Sequence, residues 1–148
     1  MHVQPYSVKV YYEVQLEAIL RAGFDEFEPD ITSEHFPAWR LGVHTIDALL
    51  IRFDDELTPQ QALLRLEAVG FRGGTPLEVA TLGKDFPHLQ ERAALVAPLP
   101  VWSRDDGGPL IVVLDYEGRR RRVKLASQHA VFSRHSSYVA FDVRQTRV

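Results

Sequence analysis

Apolar and polar residues alternate from Val8 to Val14, with Val8, Val10 and Tyr12 on one face and Lys9, Tyr11 and Glu13 on the other. A period of two predicts a strand. The spacing then lengthens. Leu16, Ile19 and Leu20 fall on one side of a short helix, and Gly23 supplies its C-terminal stop. Phe24 to Asp30 reads as an acidic, aromatic loop. Thr32-Ser33-Glu34 offers cap-type residues for a single turn that Pro37 breaks. Val43 to Phe53 predicts a second strand, apolar on both faces at its end and therefore interior to a sheet.

Thr58-Pro59-Gln60-Gln61 starts a helix. Thr58 can accept from the Gln61 amide, Pro59 suits the first helical position, and Gln61 completes a capping box. Leu63, Leu64 and Leu66 form its stripe, and Gly70 ends it. Gly73-Gly74 is a turn. Thr75-Pro76-Leu77-Glu78 repeats the start pattern for a helix running to about Leu82, with Gly83 as its stop. Pro87 to Arg92 supports one more turn.

The remainder reads as strands. Leu95 to Trp102 contains Pro98 and Pro100, so it is expected at an edge or bulged. Asp105-Asp106-Gly107-Gly108 suits a hairpin turn, Leu110 to Tyr116 a strand, and Glu117-Gly118 a second turn. Arg121 to Phe132 and Tyr138 to Arg144 complete the set, with a turn from Ser133 to Ser137. The expected architecture is a single α+β domain spanning residues 1–148. It has a mainly antiparallel sheet and two or three short helices from the first half of the chain.

Composition narrows the chemistry. At 148 residues and 45% hydrophobic, the chain can bury a substantial core. It has no cysteine, which excludes disulfides, thiolate metal sites and a cysteine nucleophile. The first residues lack the basic start and apolar run of a signal peptide, and no apolar run suffices to span a bilayer. A soluble, cytoplasmic protein without membrane contact is the expectation. Net charge is −3, but unevenly spread: four basic against eleven acidic residues up to Gln60, thirteen against nine thereafter. The simple account is that the two halves pack together and complement one another.

Three segments carry a resemblance: DITSEHFP (Asp30 to Pro37), TPQQALLRLEAVGFR (Thr58 to Arg72) and LGKDFPHLQ (Leu82 to Gln90). In order and spacing the chain resembles a group of uncharacterised bacterial proteins, including a β-rich C-terminal part with a tryptophan, here Trp102, and a final strand, here Phe141-Asp142-Val143-Arg144. The likeness covers most of the chain. It departs at His35, where the pattern has asparagine, and at the proline-rich Ala97-Pro98-Leu99-Pro100. The group has no assigned activity, so the resemblance implies no ligand or catalytic residue.

The residues themselves support little catalysis. The six histidines, His2, His35, His44, His88, His129 and His135, form no ligand pair on one helical face, so neither a metal nor a cofactor is expected. No G-x-S-x-G elbow occurs. Gly70-Phe71-Arg72-Gly73-Gly74 lacks the lysine and hydroxyl of a phosphate loop and reads as a helix stop and a turn. The sharpest charged feature is Arg119 to Arg122 with Lys124. These cations could hold phosphates or an acidic partner, which includes the chain's own N-terminal half. A strand divides its side chains between two faces, and edge strands carry cations to block unwanted pairing. Nucleic acid is therefore not the favoured partner. Trp39 and Trp102 flank prolines and can line a contact surface or cover the ends of a small core.

The expected function is a non-enzymatic interaction or ligand-binding module with a small basic patch: Arg119, Arg121, Arg122 and Lys124, with Trp102 as a further contact. The alternative is a small hydrolase using His129 or His135 with a carboxylate from Asp25, Glu26, Glu28, Asp30, Asp54, Asp55 or Glu56.

Overall fold

The computed structural model describes residues 1–104 and 107–146. Eight strands form one sheet: β1 (His2–Tyr11), β2 (Glu26–Phe27), β3 (Val43–Arg52), β4 (Phe71–Gly73), β5 (Leu95–Ser103), β6 (Pro109–Glu117), β7 (Arg120–Ser127) and β8 (Ser137–Asp142). Four helices accompany them: α1 (Leu16–Gly23), α2 (Pro59–Ala68), α3 (Pro76–Asp85) and α4 (Leu89–Arg92). The strand order is β1-β3-β8-β5-β6-β7-β2, with β4 also beside β8. The fold is α+β. Its sheet is mixed rather than mainly antiparallel, because β5 runs parallel to β8 and β2 parallel to β7. Helices also extend past the midpoint of the chain, since α3 and α4 follow residue 75. No helix among the described residues is long and apolar enough to cross a membrane.

Two clusters pack on opposite faces of the sheet. One gathers Val8, Val10, Ala48, Leu95, Leu114 and Phe141 beneath α1, α3 and α4. The other gathers Ile51, Val96, Ile111, Val113 and Tyr138 beneath α2. Each fully buried leucine or isoleucine contributes roughly 1.5–3 kcal/mol. Alternation assigns the faces, as the β1 pattern predicts. β1 nevertheless begins earlier than the pattern suggests, at His2. The Tyr12 amide donates to the Gly42 carbonyl at 3.0 Å, so even-numbered residues of β1 turn their amides toward β3. Pro5 therefore faces the open edge, where its missing N–H costs no ladder bond.

Both capping boxes form, at Thr58 with Gln61 and at Thr75 with Glu78. Gly83 is not the stop of α3, which continues to Asp85. A Cβ there would lie 2.4 Å from Leu114 Cδ2, so Gly83 sets how closely α3 approaches the sheet. The acidic loop after α1 is partly strand. Glu26–Phe27 pairs with Arg122–Val123, an edge too short to show a period. The expected strand from Arg121 to Phe132 ends at Ser127, whose hydroxyl accepts from the His129 amide at 3.1 Å and turns the chain. The turn proposed at Asp105-Asp106 lies outside the described residues. At the next hairpin, Gly118 and Arg119 both have positive φ, 60° and 63°, as a two-residue turn requires.

Candidate binding cleft where the sheet forks

β5 is bulged but interior, lying between β8 and β6. Its register with β6 shifts between Ala97 and Trp102, the stretch that contains Pro98 and Pro100. Neither proline has an N–H to give a neighbour. Pairing of β5 with β8 accordingly stops after Leu95↔Ser137 and Val96↔Tyr138, and β4 takes its place against Ala140–Asp142. The sheet forks there. At the fork opens a cleft of about 360 Å³, lined by Pro37, Ala38 and Trp39 and by Leu99 and Pro100 of β5. Arg72, Gly73 and Thr75 line it as well. Gly73 is needed at this point, because a Cβ would stand 2.7 Å from Pro98 Cγ.

Beside the cleft sits a carboxylate with no solvent exposure, Glu78. Burial alone would keep it neutral, so its charge must be met by donors. Arg72 meets it with two bonds, Nη1 to Oε1 at 2.9 Å and Nη2 to Oε2 at 2.7 Å. The Tyr12 hydroxyl donates to Oε2 at 2.5 Å and the Trp39 indole N–H at 3.3 Å. The Thr75 amide and hydroxyl donate to Oε1 at 2.9 and 3.0 Å. Desolvation pushes the Glu78 pKa up, but the bonds and charge of Arg72, then Tyr12 and Thr75, outweigh it and leave the group below its ordinary value. Burial, and then the neighbouring carboxylate, pushes the Tyr12 phenol well above its own.

The network fixes the aromatic wall of the cleft. The Arg72 guanidinium lies 4.5 Å from the ring centres of both Trp39 and Phe141. Arg40 covers Trp39 at 5.0 Å and Tyr12 at 5.5 Å. Trp39 is thus held by its N–H and by cations, yet remains 44% exposed. Two buried donors, Arg72 Nε and Arg40 Nη1, lack a partner among the described residues. Both Glu78 oxygens accept bonds from within the network.

The residues singled out from sequence lie elsewhere. Arg122 forks onto Asp115 with two 2.9 Å bonds and also reaches Glu117 at 2.6 Å, while Lys124 meets Asp115 at 2.9 Å. Arg121 donates to the Gly23 and Gly83 carbonyls, both at 2.5 Å, and so ties α1 and α3 to the sheet. The neighbouring Arg120 pairs with Glu26 at 3.4 Å. The acidic stretch of the N-terminal half meets only part of this run, through Glu26 on Arg120 and through Asp25, which accepts from the Arg121 amide at 2.8 Å; Arg122 and Lys124 meet acids of the neighbouring strand β6. Arg119 alone of the hairpin cations has no ion pair or hydrogen bond among the described residues.

Trp102 stacks on His35 at 4.0 Å, with Arg104 over its ring. It pairs with Leu110, six residues along β6 from Tyr116, the partner of Arg121. The basic residues and Trp102 therefore do not converge. His129 and His135 are exposed, and neither ring bonds a carboxylate among the described residues. Asp30 and Glu28 hold Arg104, Asp54 holds His2 and Arg52, and Asp55 holds Arg65.

Sequence reasoning flagged Trp39 but missed Arg72 and Glu78. The available signal was α3 itself. Leu77 to Gly83 is apolar on nearly all sides, which marks a buried helix, and a glutamate inside it must be paired. The chain matches no known protein-family model, no curated protein and no solved structure.

Proposed function

We propose that the protein is a non-enzymatic binding module whose contact surface is the cleft beside Trp39. The observation that carries this reading is a half-exposed indole held in place by Glu78 and Arg72 against an apolar, proline-walled hollow. An aromatic anchor immobilised before contact loses little entropy on binding, which is the property of interface hot spots. The cleft's size suits one or two apolar side chains of an extended partner polypeptide. A cytoplasmic location, and membership in the bacterial group that the three segments resemble, belong to the same proposal. The engagement of Arg121, Arg122 and Lys124 within the chain supports moving the contact away from the basic hairpin.

Proton–nitrogen NMR titration with a hexaproline peptide tests the reading. Saturable shifts of the Gly73 and Thr75 amides are expected, reduced about tenfold in affinity by Trp39→Ala. Absence of shifts, or equal shifts in the variant, would overturn it.

A further inference from the structure

A second hollow lies at the other end of the same sheet face. On β1 it touches Gln4 and Tyr6, whereas the Glu78 network uses Tyr12; on β8 it begins at Ser137, whereas the fork lies beside Phe141. It measures about 400 Å³. Leu50, Leu89 and Leu95 give it an apolar lining. Arg52, Arg92 and His135 line it too, and no aspartate or glutamate does.

Several arginines of the chain meet internal acids: Arg65 with Asp55, Arg72 with Glu78, Arg104 with Asp30, Arg122 with Asp115 and Arg144 with Asp142. At the hollow, Arg92 and the His135 ring have no hydrogen bond or ion pair among the described residues. Arg52 gives its Nε to Asp54 at 2.9 Å, and its two terminal nitrogens have no hydrogen bond among the described residues. Asp54, which also bonds His2, is not among the residues lining the hollow. A protein of net charge −3 thus lines one hollow with two arginines, a histidine and leucines, and with no acid.

We propose that this hollow binds a small organic phosphate. Guanidinium forks match phosphoryl oxygens, and Arg52 and Arg92 supply two guanidinium groups at the hollow with the His135 ring beside them. The Ser137 hydroxyl and the Gln4 amide offer neutral donors beside them. The leucines and the Tyr6 ring give the organic part an apolar seat, which inorganic phosphate alone would not use. The site is separate from the Trp39 cleft, so the two assignments stand or fall independently.

Isothermal calorimetry at physiological salt decides it, with adenosine monophosphate, inorganic phosphate, adenosine and citrate as probes. The monophosphate is expected to saturate the site about tenfold more tightly than phosphate, and adenosine not to bind. Arg92→Ala should weaken the monophosphate about tenfold, with an unchanged melting temperature because Arg92 is exposed. Arg92→Gln should repeat the loss. Arg119→Ala, which removes an unpaired arginine elsewhere, and Trp39→Ala should leave binding as it was. No saturation up to about 20 mM monophosphate, citrate binding as tightly as the monophosphate, or equal losses in Arg92→Ala and Arg119→Ala would each overturn the proposal.

Discussion

Two arginine–carboxylate clusters divide the molecule. Around Glu78 a single arginine, a phenol, an indole and a threonine converge on one carboxylate that water never reaches. Along the hairpin of β6 and β7, a dense run of cations meets Asp115, Glu117, Glu26 and two helix-end carbonyls, mostly near the surface. The second cluster has more charge; the first has more at stake per charge. Desolvation separates them. A surface pair is worth up to about 1 kcal/mol, whereas removing one partner of a buried pair strands the other at several times that cost.

The sharpest way to test that contrast is Glu78→Ala. It leaves the Arg72 guanidinium, the Tyr12 hydroxyl and the Trp39 N–H without their shared acceptor, so a loss of about 3–5 kcal/mol in denaturant unfolding is expected. A loss under about 1 kcal/mol would place Glu78 with the surface pairs and erase the distinction. Acid sharpens the same point. The folded Glu78 pKa is depressed, so its stabilisation is complete above its unfolded value and is lost as pH falls through the folded one. Below about pH 4.3, the stability of the native protein should decline more steeply than that of Glu78→Gln. Asp115, also depressed as Arg122 and Lys124 override its desolvation, leaves a residual slope in both. Parallel slopes would refute the assignment.

Arg121→Ala comes next. It removes two bonds from a charged donor to the carbonyls that end α1 and lie near the end of α3, and about 2 kcal/mol is expected. Arg121→Met, which keeps the packing over Phe24, separates the bonds from the stacking. Smallest is Arg119→Asn. The residue is exposed in a left-handed turn that asparagine tolerates well, so the melting temperature should hold or rise by about 1–2 °C. If Arg119→Asn cost as much as Arg121→Ala, the hairpin would be acting as one charged unit rather than as separate contacts.

These differences also mark what the chain discloses in its residues. The strand faces, the helix starts at Thr58 and Thr75 and the bulge at Pro98 and Pro100 are local events, and local spacing predicts them. The mixed sheet is not local: the parallel pairing of β5 with β8 joins residues some forty apart, and β2 exists only because β7 lies beside it. The same limit hid the cleft. Arg72 stands in a stretch read as a turn, and Glu78 in a capping box read as a helix signal alone. The box is real, but its carboxylate serves the arginine as well. Arg119 to Lys124 drew notice because their charges are adjacent, although adjacency says nothing about which acids the fold brings to them.

β8 has one more consequence. It is the last strand in chain order, yet it lies between β3 and β5, and no direct ladder joins the β1–β3 pair to the β5–β6–β7 group. During synthesis, the two portions of the sheet must therefore wait for each other. At roughly 5–20 residues per second, the inward-facing edge of β3 waits several seconds for β8, whereas the edge of the β5–β6–β7 group, complete only at Ser127, waits about one to three. The prolines of β5 shorten the exposed run on one of them, a safeguard that operates before the protein is finished.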